Sequence, residues 1–368
     1  MKTHEILFQT LSQADDYVNG EQLAKELGVS RTSIWKAIQR LEKDGVVIES
    51  LKKKGYRLVS GDILLPDVIA SNTQLTVTLN EECHSTQLDA KLGIEAHKEG
   101  KALYLAKSQS AGKGRFGRDY YSPDQGGIYM SLHLKPQLPP AELPPYTLMV
   151  AGAIYKAIKN LTLIDIDIKW VNDIYYRNKK IGGILTEAIS SIETGLVTDV
   201  IIGVGFNLAI STFPEELKNK AGSLFEGPCP ITRNDLISEI WTEFLQTDID
   251  ELVYLYKERS LVLGRTVTFE QNQQTYQASP KTSPILANSW SNWIKKKKSG
   301  SIAEKSPSSS GIYKTDQQLT KEPGTKRCLR LFCVKIYQNF LNQFLIYSKH
   351  ISSKNLINNN TIPIFTNM

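Results

Sequence analysis

Residues 109–118 read Gln109-Ser110-Ala111-Gly112-Lys113-Gly114-Arg115-Phe116-Gly117-Arg118, three glycines interleaved with three cations. Glycine admits φ > 0 and brings backbone N–H groups close to a ligand. Successive N–H groups form an anion-binding concavity, and the cations add charge-assisted hydrogen bonds to phosphate or carboxylate. The same letters satisfy Gly-x-Gly-x-x-Gly, so the flanks decide the fold. Leu103–Ala106 predicts a strand before the loop. A dinucleotide-binding turn would then open a helix. The next residues are instead Asp119-Tyr120-Tyr121-Ser122-Pro123-Asp124-Gln125-Gly126-Gly127, which cannot begin one. A kinase glycine loop requires His-Arg-Asp and Asp-Phe-Gly downstream, and the chain has neither. The plain alternative is an exposed basic loop, since short glycine motifs recur by chance.

The chain has 368 residues, 41% of them hydrophobic, and a net charge of +6. The length predicts two or three domains. The charge is unevenly spread: residues 278–368 carry +11, so residues 1–277 carry −5. The basic balance therefore belongs to the C-terminal tail and is no nucleic-acid footprint of the folded part. Cys83, Cys229, Cys328 and Cys333 show no Cys-x-x-Cys pair and no metal spacing with the histidines, which predicts free thiols in a reducing compartment. The N-terminus lacks the pattern of a signal peptide. The most apolar window, residues 329–347, is broken by Arg330, Lys335, Asn339 and Asn342, too polar for a membrane span. A cytoplasmic protein without membrane contact is expected.

From the N-terminus, Ile6, Leu7 and Leu11 predict a first helix. Leu23, Ala24 and Leu27 predict a second, ended by Gly28. Ser30 caps a third whose buried face is Ile34, Ala37, Ile38 and Leu41. Two short helices joined by a glycine-containing turn form a helix-turn-helix pattern. Strand-like runs at 46–50 and 55–59 flank Lys52-Lys53-Lys54, a hairpin with a basic tip as in a winged helix. Arg31, Thr32, Ser33, Trp35, Lys36 and Arg40 would face a DNA groove, with Lys53 at the phosphates. A winged helix used for protein contact is the competing reading.

A short linker spans Ser60-Gly61-Asp62 to Leu65-Pro66, giving a first domain at residues 1–62. Strands are predicted at 75–79, 102–106, 128–134, 164–169, 174–177, 180–189 and 199–203. Helices come after Ser85-Thr86-Gln87 and cover about 146–160, the region of Leu236–Phe244, and 252–259. Strands outnumber helices, so residues 63–260 predict an α+β domain on a mostly antiparallel mixed sheet. Residues 264–277 predict two strands of a truncated C-terminal β domain starting at 261. Residues 278–368, rich in Ser, Lys and Asn, predict a low-complexity, disordered basic tail. The abrupt change suggests a frameshifted or disrupted C-terminus.

These segments together resemble the bifunctional biotin–protein ligase and biotin operon repressor family of bacteria. The match is carried by the winged helix, Ser85-Thr86-Gln87, Gly112–Arg118, Ser122-Pro123, Lys169-Trp170-Val171-Asn172-Asp173, Lys180-Ile181-Gly182-Gly183 and Gly203-Val204-Gly205-Phe206-Asn207, over residues 1–277. The resemblance implies a class II synthetase-like ligase domain and a remnant SH3-like β domain. It implies that biotin and ATP, with Mg²⁺, form biotinyl-5′-adenylate and pyrophosphate. The acyl group then passes to a lysine on the biotin carrier domain of a carboxylase such as acetyl-CoA carboxylase. It also implies a ligand-dependent homodimer that binds operator DNA and represses biotin synthesis genes.

On that resemblance, Lys180 and Arg115 are the catalytic candidates, since bringing a carboxylate to an α-phosphate demands neutralisation and positioning. Ser85, Thr86, Gln87 and Gln109 would hold the ureido ring of biotin, with Lys113, Gly114, Arg115 and Lys180 along its chain. Arg118, Tyr120, Asn172, Asp173 and Asn207 would serve the nucleotide, Asp173 near Mg²⁺. Capping turns are the competing account for Ser85, and a structural amide for Asn207. The family often has Trp where Tyr120 stands and Pro where Val171 stands. An adenylate-sensing regulator with weak or no ligase activity is the alternative function. Lipoate attachment is disfavoured by the winged helix and by the glycine loop.

Overall fold

The structure, a computed structural model, describes residues 1–262 except 98, 99, 170 and 228, and the backbone of 267–271 and 274–278. Two compact units emerge among the described residues, 1–136, 144–186 and 199–261 in the first, and 137–143, 187–198, 262, 267–271 and 274–278 in the second.

The first unit opens with α1 (Thr3–Ser12), α2 (Gly20–Glu26) and α3 (Arg31–Lys43), then the hairpin β1 (Val47–Leu51) and β2 (Gly55–Ser60). Ser30 caps α3 by accepting from Ser33 N at 3.1 Å. Ile34, Ala37, Ile38 and Leu41 are buried at i, i+3, i+4, i+7 spacing against Leu7, Phe8, Leu11 and Leu23. Each buried isoleucine or leucine among them contributes about 1.5–3 kcal/mol. Asp44 and Gly45 (φ 88°) end α3, and antiparallel β1–β2 completes the expected winged helix.

The segment expected as a linker is buried instead. Ile63, Leu64 and Leu65 are all at most 6% exposed. Asp62 binds the Arg233 guanidinium and backbone, while Asn234 donates to Ile63 O (2.8 Å) and accepts from Leu65 N (2.7 Å). Three consecutive aliphatics cannot remain solvated, and the side chains of residues 233–234 supply the polar partners that burial of this backbone requires. Pro66 starts an unexpected helix, α4 (Pro66–Thr73), from its first position, where its missing N–H costs nothing.

Beyond it come β3 (Thr76–Asn80), α5 (Thr86–Glu95), β4 (Ala102–Ala106), β5 (Gly127–Leu134), α6 (Tyr146–Thr162), β6 (Asp167–Lys169), β7 (Asp173–Tyr176), β8 (Lys179–Ser190), β9 (Val197–Asn207), α7 (Arg233–Gln246) and α8 (Ile249–Glu258). One seven-stranded sheet has the order β3-β4-β5-β9-β8-β7-β6. β3–β4 is parallel, whereas β4–β5, β5–β9, β6–β7 and β7–β8 are antiparallel, the mixed sheet expected. β6 starts three residues later than expected, because Leu163 closes α6 at φ 62° and Thr162 Oγ1 takes Ile164 N. β9 runs past residue 203 to Asn207, paired with β5 throughout residues 200–207. That long-range pair carries the glycine loop, which precedes β5, to the edge of β9.

In the second unit, Leu138 and Val197 exchange backbone hydrogen bonds (3.3 and 2.8 Å). β10 (Val267–Gln271) and β11 (Gln274–Ala278) form an antiparallel hairpin, the two C-terminal strands expected. The basic tail from 279 onward lies outside the described residues. Among the described residues no helix is long and apolar enough to cross a membrane.

Candidate active site

A cleft of about 320 Å³ opens over β5 and β9. Ser131 pairs with Gly203 and Tyr129 with Gly205 across these strands. A Cβ on Gly203 would stand 2.5 Å from Gln87 Oε1, and one on Gly205 would stand 2.5 Å from the Tyr120 ring. The two glycines thus leave seats on one face of β9, one for a side chain from α5 and one for a side chain from the glycine loop.

One end of the cleft is neutral and cross-bonded. Gln109 Oε1 accepts from Thr86 N (2.9 Å) and Thr86 Oγ1 (3.3 Å). The Thr86 and Ser131 hydroxyl oxygens lie 2.9 Å apart, and Ser131 donates to Gln87 Oε1 at 3.0 Å. Gln109 Nε2 donates to Ser122 Oγ at 3.0 Å, and Ser122 in turn donates to Tyr120 O at 3.0 Å. Thr86, Gln87, Ser122 and Ser131 are buried. Ser85 precedes α5 with extended backbone and makes no side-chain capping bond, so the turn-capping account does not describe its hydroxyl.

The other end is charged. Lys180 Nζ lies 2.7 Å from Asp173 Oδ1, and Arg115 donates to Asn172 Oδ1 at 3.1 Å, with Asn172 Nδ2 bonded to Ile184 O at 2.9 Å. Partial burial pulls the Arg115 guanidinium below its usual range, opposed by the charge of Asp173. Backbone bonds from Gly114 N to Arg118 O (2.8 Å) and Tyr120 N to Gly112 O (2.9 Å) close the glycine loop into a narrow ring, pinned outside by the Lys113–Asp119 ion pair. At its tip Phe116 takes φ 59° with 67% of its surface exposed. A bulky residue in the left-handed region is a conformational cost that clusters at ligand clamps.

Ser85, Thr86, Gln87, Gln109, Lys113, Gly114, Arg115, Arg118, Tyr120, Asn172, Asp173 and Lys180 all line this cleft. Asn207 does not. It is buried, its Nδ2 donating to Gly222 O at 2.9 Å while its backbone carbonyl accepts from Leu224 N, and both bonds tie β9 to the following loop. Sequence reasoning missed Ser131, whose signal was a lone hydroxyl in the strand Gly-Ile-Tyr-Met-Ser-Leu-His-Leu. It also gave no role to Gly203 and Gly205, visible as an i, i+2 pair. Among the described residues no cluster of three metal-ligating side chains exists. Asp173 and Asp119 are the two carboxylates on the cleft wall. That donor set suits Mg²⁺ arriving on ATP phosphates, which needs one or two protein carboxylates rather than a cage.

In the winged helix, Arg31, Thr32, Trp35, Lys36, Arg40 and Lys53 are exposed and Ser33 is partly exposed. Arg31 pairs with Glu21 and Arg40 with Asp44, both at 2.9 Å.

A winged helix in series with a mixed sheet whose glycine-and-cation loop covers a polar cleft defines a DNA-binding domain joined to a ligase domain. Residues 82–207 match the Biotin/lipoate A/B protein ligase family, and residues 4–57 match the HTH domain. The bifunctional ligase/repressor BirA of Bacillus subtilis is 37% identical over 228 residues, spanning 59% of this chain and 69% of that protein. The BirA of Escherichia coli is 30% identical over 231 residues, spanning 62% and 71%. The biotin protein ligase of Aquifex aeolicus, solved with biotin and ATP, aligns at TM-score 0.47 and 24% identity, covering 55% of this chain and 86% of that one. The chain belongs to the biotin–protein ligase family, on its bifunctional ligase/repressor branch.

Proposed function

We propose that the cleft joins biotin to ATP and passes the acyl group to a protein lysine. The observation that carries this is one continuous cleft with a neutral hydrogen-bonding end and a cationic end. Thr86, Gln87, Gln109 and Ser131 match the donors and acceptors of the ureido ring, and a site built on such bonds rejects analogues that lack them. The valeryl chain runs past Lys113 and Gly114 to Lys180 and Arg115. There a carboxylate oxygen attacks the α-phosphorus of ATP, the P–O bond to pyrophosphate breaks, and biotinyl-adenylate forms. Two anions must meet, so Lys180 and Arg115 act by neutralising and orienting them. Both are held by neighbours the substrate can displace, Asp173 and Asn172.

Arg118, Tyr120, Asn172 and Asp173 flank the nucleotide. Mg²⁺ bound to ATP, with Asp173 facing it, would add charge neutralisation at the phosphates. The glycine loop excludes water from the mixed anhydride. The acceptor lysine amine then attacks the acyl carbon and AMP leaves. The acceptor is the carrier domain of a biotin-dependent carboxylase.

The winged helix binds operator DNA through Arg31, Thr32, Ser33, Trp35, Lys36 and Arg40, with Lys53 on the backbone. Because a single winged helix has a small interface, specific repression uses a dimer formed with bound adenylate. Incubating the chain with ATP, Mg²⁺, biotin and an apo carrier domain tests the ligase reading. The carrier gains the mass of one biotinyl group. Adenylate formed without transfer would instead favour a sensor.

A further inference from the structure

Tyr256 lies on the buried face of α8 with Leu252 and Val253, and none of its surface is exposed. Its hydroxyl donates to Val171 O at 3.2 Å. Val171 belongs to the short connection between β6 and β7, whose ends pair as Lys169 with Asp173. The two residues after it are Asn172, which accepts from the Arg115 guanidinium, and Asp173, which pairs with Lys180. Asn172 is also fixed from β8: its backbone carbonyl accepts from Ile184 N and its Nδ2 donates to Ile184 O, both at 2.9 Å. Two elements thus hold this connection, β8 through Ile184 and α8 through Tyr256.

The helix that carries Tyr256 is itself anchored. Backbone bonds from Ile168 N to Arg259 O and from Leu261 N to Ile168 O, both 2.8 Å, tie the end of α8 to β6. A Cβ on Gly152 of α6 would stand 2.1 Å from Leu252 O, so α6 and α8 are in close contact. Burial pushes the Tyr256 phenol up, opposed by the positive charge of Arg115, and the hydroxyl stays a donor. Phenylalanine would fill the same space but leave Val171 O without this bond.

We propose that Tyr256 is a positioning residue for adenylation: by holding the Val171 carbonyl it sets the place of Asn172, and through Asn172 that of Arg115. It acts on the charged end of the cleft from a helix about eighty residues further along the chain, with no need to touch biotin or ATP. The neutral end, built on Thr86, Gln87, Gln109 and Ser131, does not depend on it. The inference rests on the ligase reading of the same cleft.

Biotin-dependent exchange of labelled pyrophosphate into ATP, together with calorimetric titration of biotin, tests it on the full chain. In Tyr256→Phe the exchange rate at saturating biotin and ATP falls about tenfold, within the cost of a misplacement on the order of 1 Å among reacting groups. Biotin still binds one site per chain, with an affinity within about twofold of wild type, because the fold and the neutral end are intact. In an Asn172→Ala background the further change Tyr256→Phe lowers the rate by less than about twofold, since the two residues act in series. An undiminished exchange rate in Tyr256→Phe overturns the proposal. So does a parallel loss of biotin affinity, which would mark a general structural role, or a full effect repeated in the Asn172→Ala background. Failure of the ligase reading would look different: the wild-type chain itself would show no biotin-dependent exchange.

Discussion

The two ends of the cleft are built on opposite principles. At the Gln87–Gln109 end, five neutral side chains bond to one another and four of them are buried. At the Arg115–Lys180 end, the cations are partly exposed and rest on a carboxylate and an amide that a ligand can displace. A low-dielectric network of mutual hydrogen bonds is rigid and specific. A set of screened ion pairs is worth little individually and exchanges partners at small cost. Recognition is thus preorganised, whereas chemistry is assembled by exchange. The charged loop also holds Phe116, at its tip, in the left-handed region.

The largest effect should come from the charged end. Lys180→Ala lowers adenylate synthesis by about 10²–10³-fold, the usual cost of removing one electrostatic stabiliser, while biotin affinity falls far less. Pyrophosphate release at saturating biotin measures it, and an equal loss in both quantities would erase the distinction between the ends. Next comes the seat under Gln87. Gly203→Ala forces its Cβ against Gln87 Oε1, an overpacking worth about 1–3 kcal/mol, and calorimetry should show biotin affinity reduced with adenylation at saturating biotin preserved.

Ser131→Ala is milder, removing the hydrogen bond that Ser131 donates to Gln87 Oε1 at a cost of about 1 kcal/mol. Biotin affinity drops severalfold, and an unaltered value would remove Ser131 from the recognition network. The smallest effect concerns Cys83, at the entrance to α5. Its Sγ lies 3.1 Å from Asp89 Oδ2, and burial with that carboxylate pushes the thiol up to about 12. The thiolate is the reactive form, so alkylation at pH 8 leaves Cys83 unmodified. Rapid labelling would reveal a looser neutral end than the one described.

Much of this architecture was legible in the residues. Periodicity located the winged-helix core, and the run Asp119–Gly127 excluded a dinucleotide turn because it cannot start a helix. The glycine loop announced an anion site by its composition, whereas Ser85–Gln87 and Lys180 were marked by their resemblance to the family's motifs. What stayed hidden depends on pairing between distant segments. Nothing local to Ser131 or Gly203 says that they face each other, since the β5–β9 register joins segments about seventy residues apart. The burial of residues 63–65 depends likewise on Arg233 and Asn234, far along the chain. Asn207 sits in a motif with cleft residues, yet its Nδ2 bonds to Gly222 O in the following loop. Pro66 reads equally as a linker or as a first helical residue, and the burial of Ile69 and Thr73 in the helix it starts separates the two.

Exchange of labelled pyrophosphate into ATP tests the central claim most directly, because it reports attack of the biotin carboxylate on the α-phosphate without any acceptor. The account predicts exchange in the wild type that requires biotin, and its loss in Lys180→Ala while that variant still binds biotin. Exchange that proceeds without biotin, or at an undiminished rate in Lys180→Ala, would contradict it.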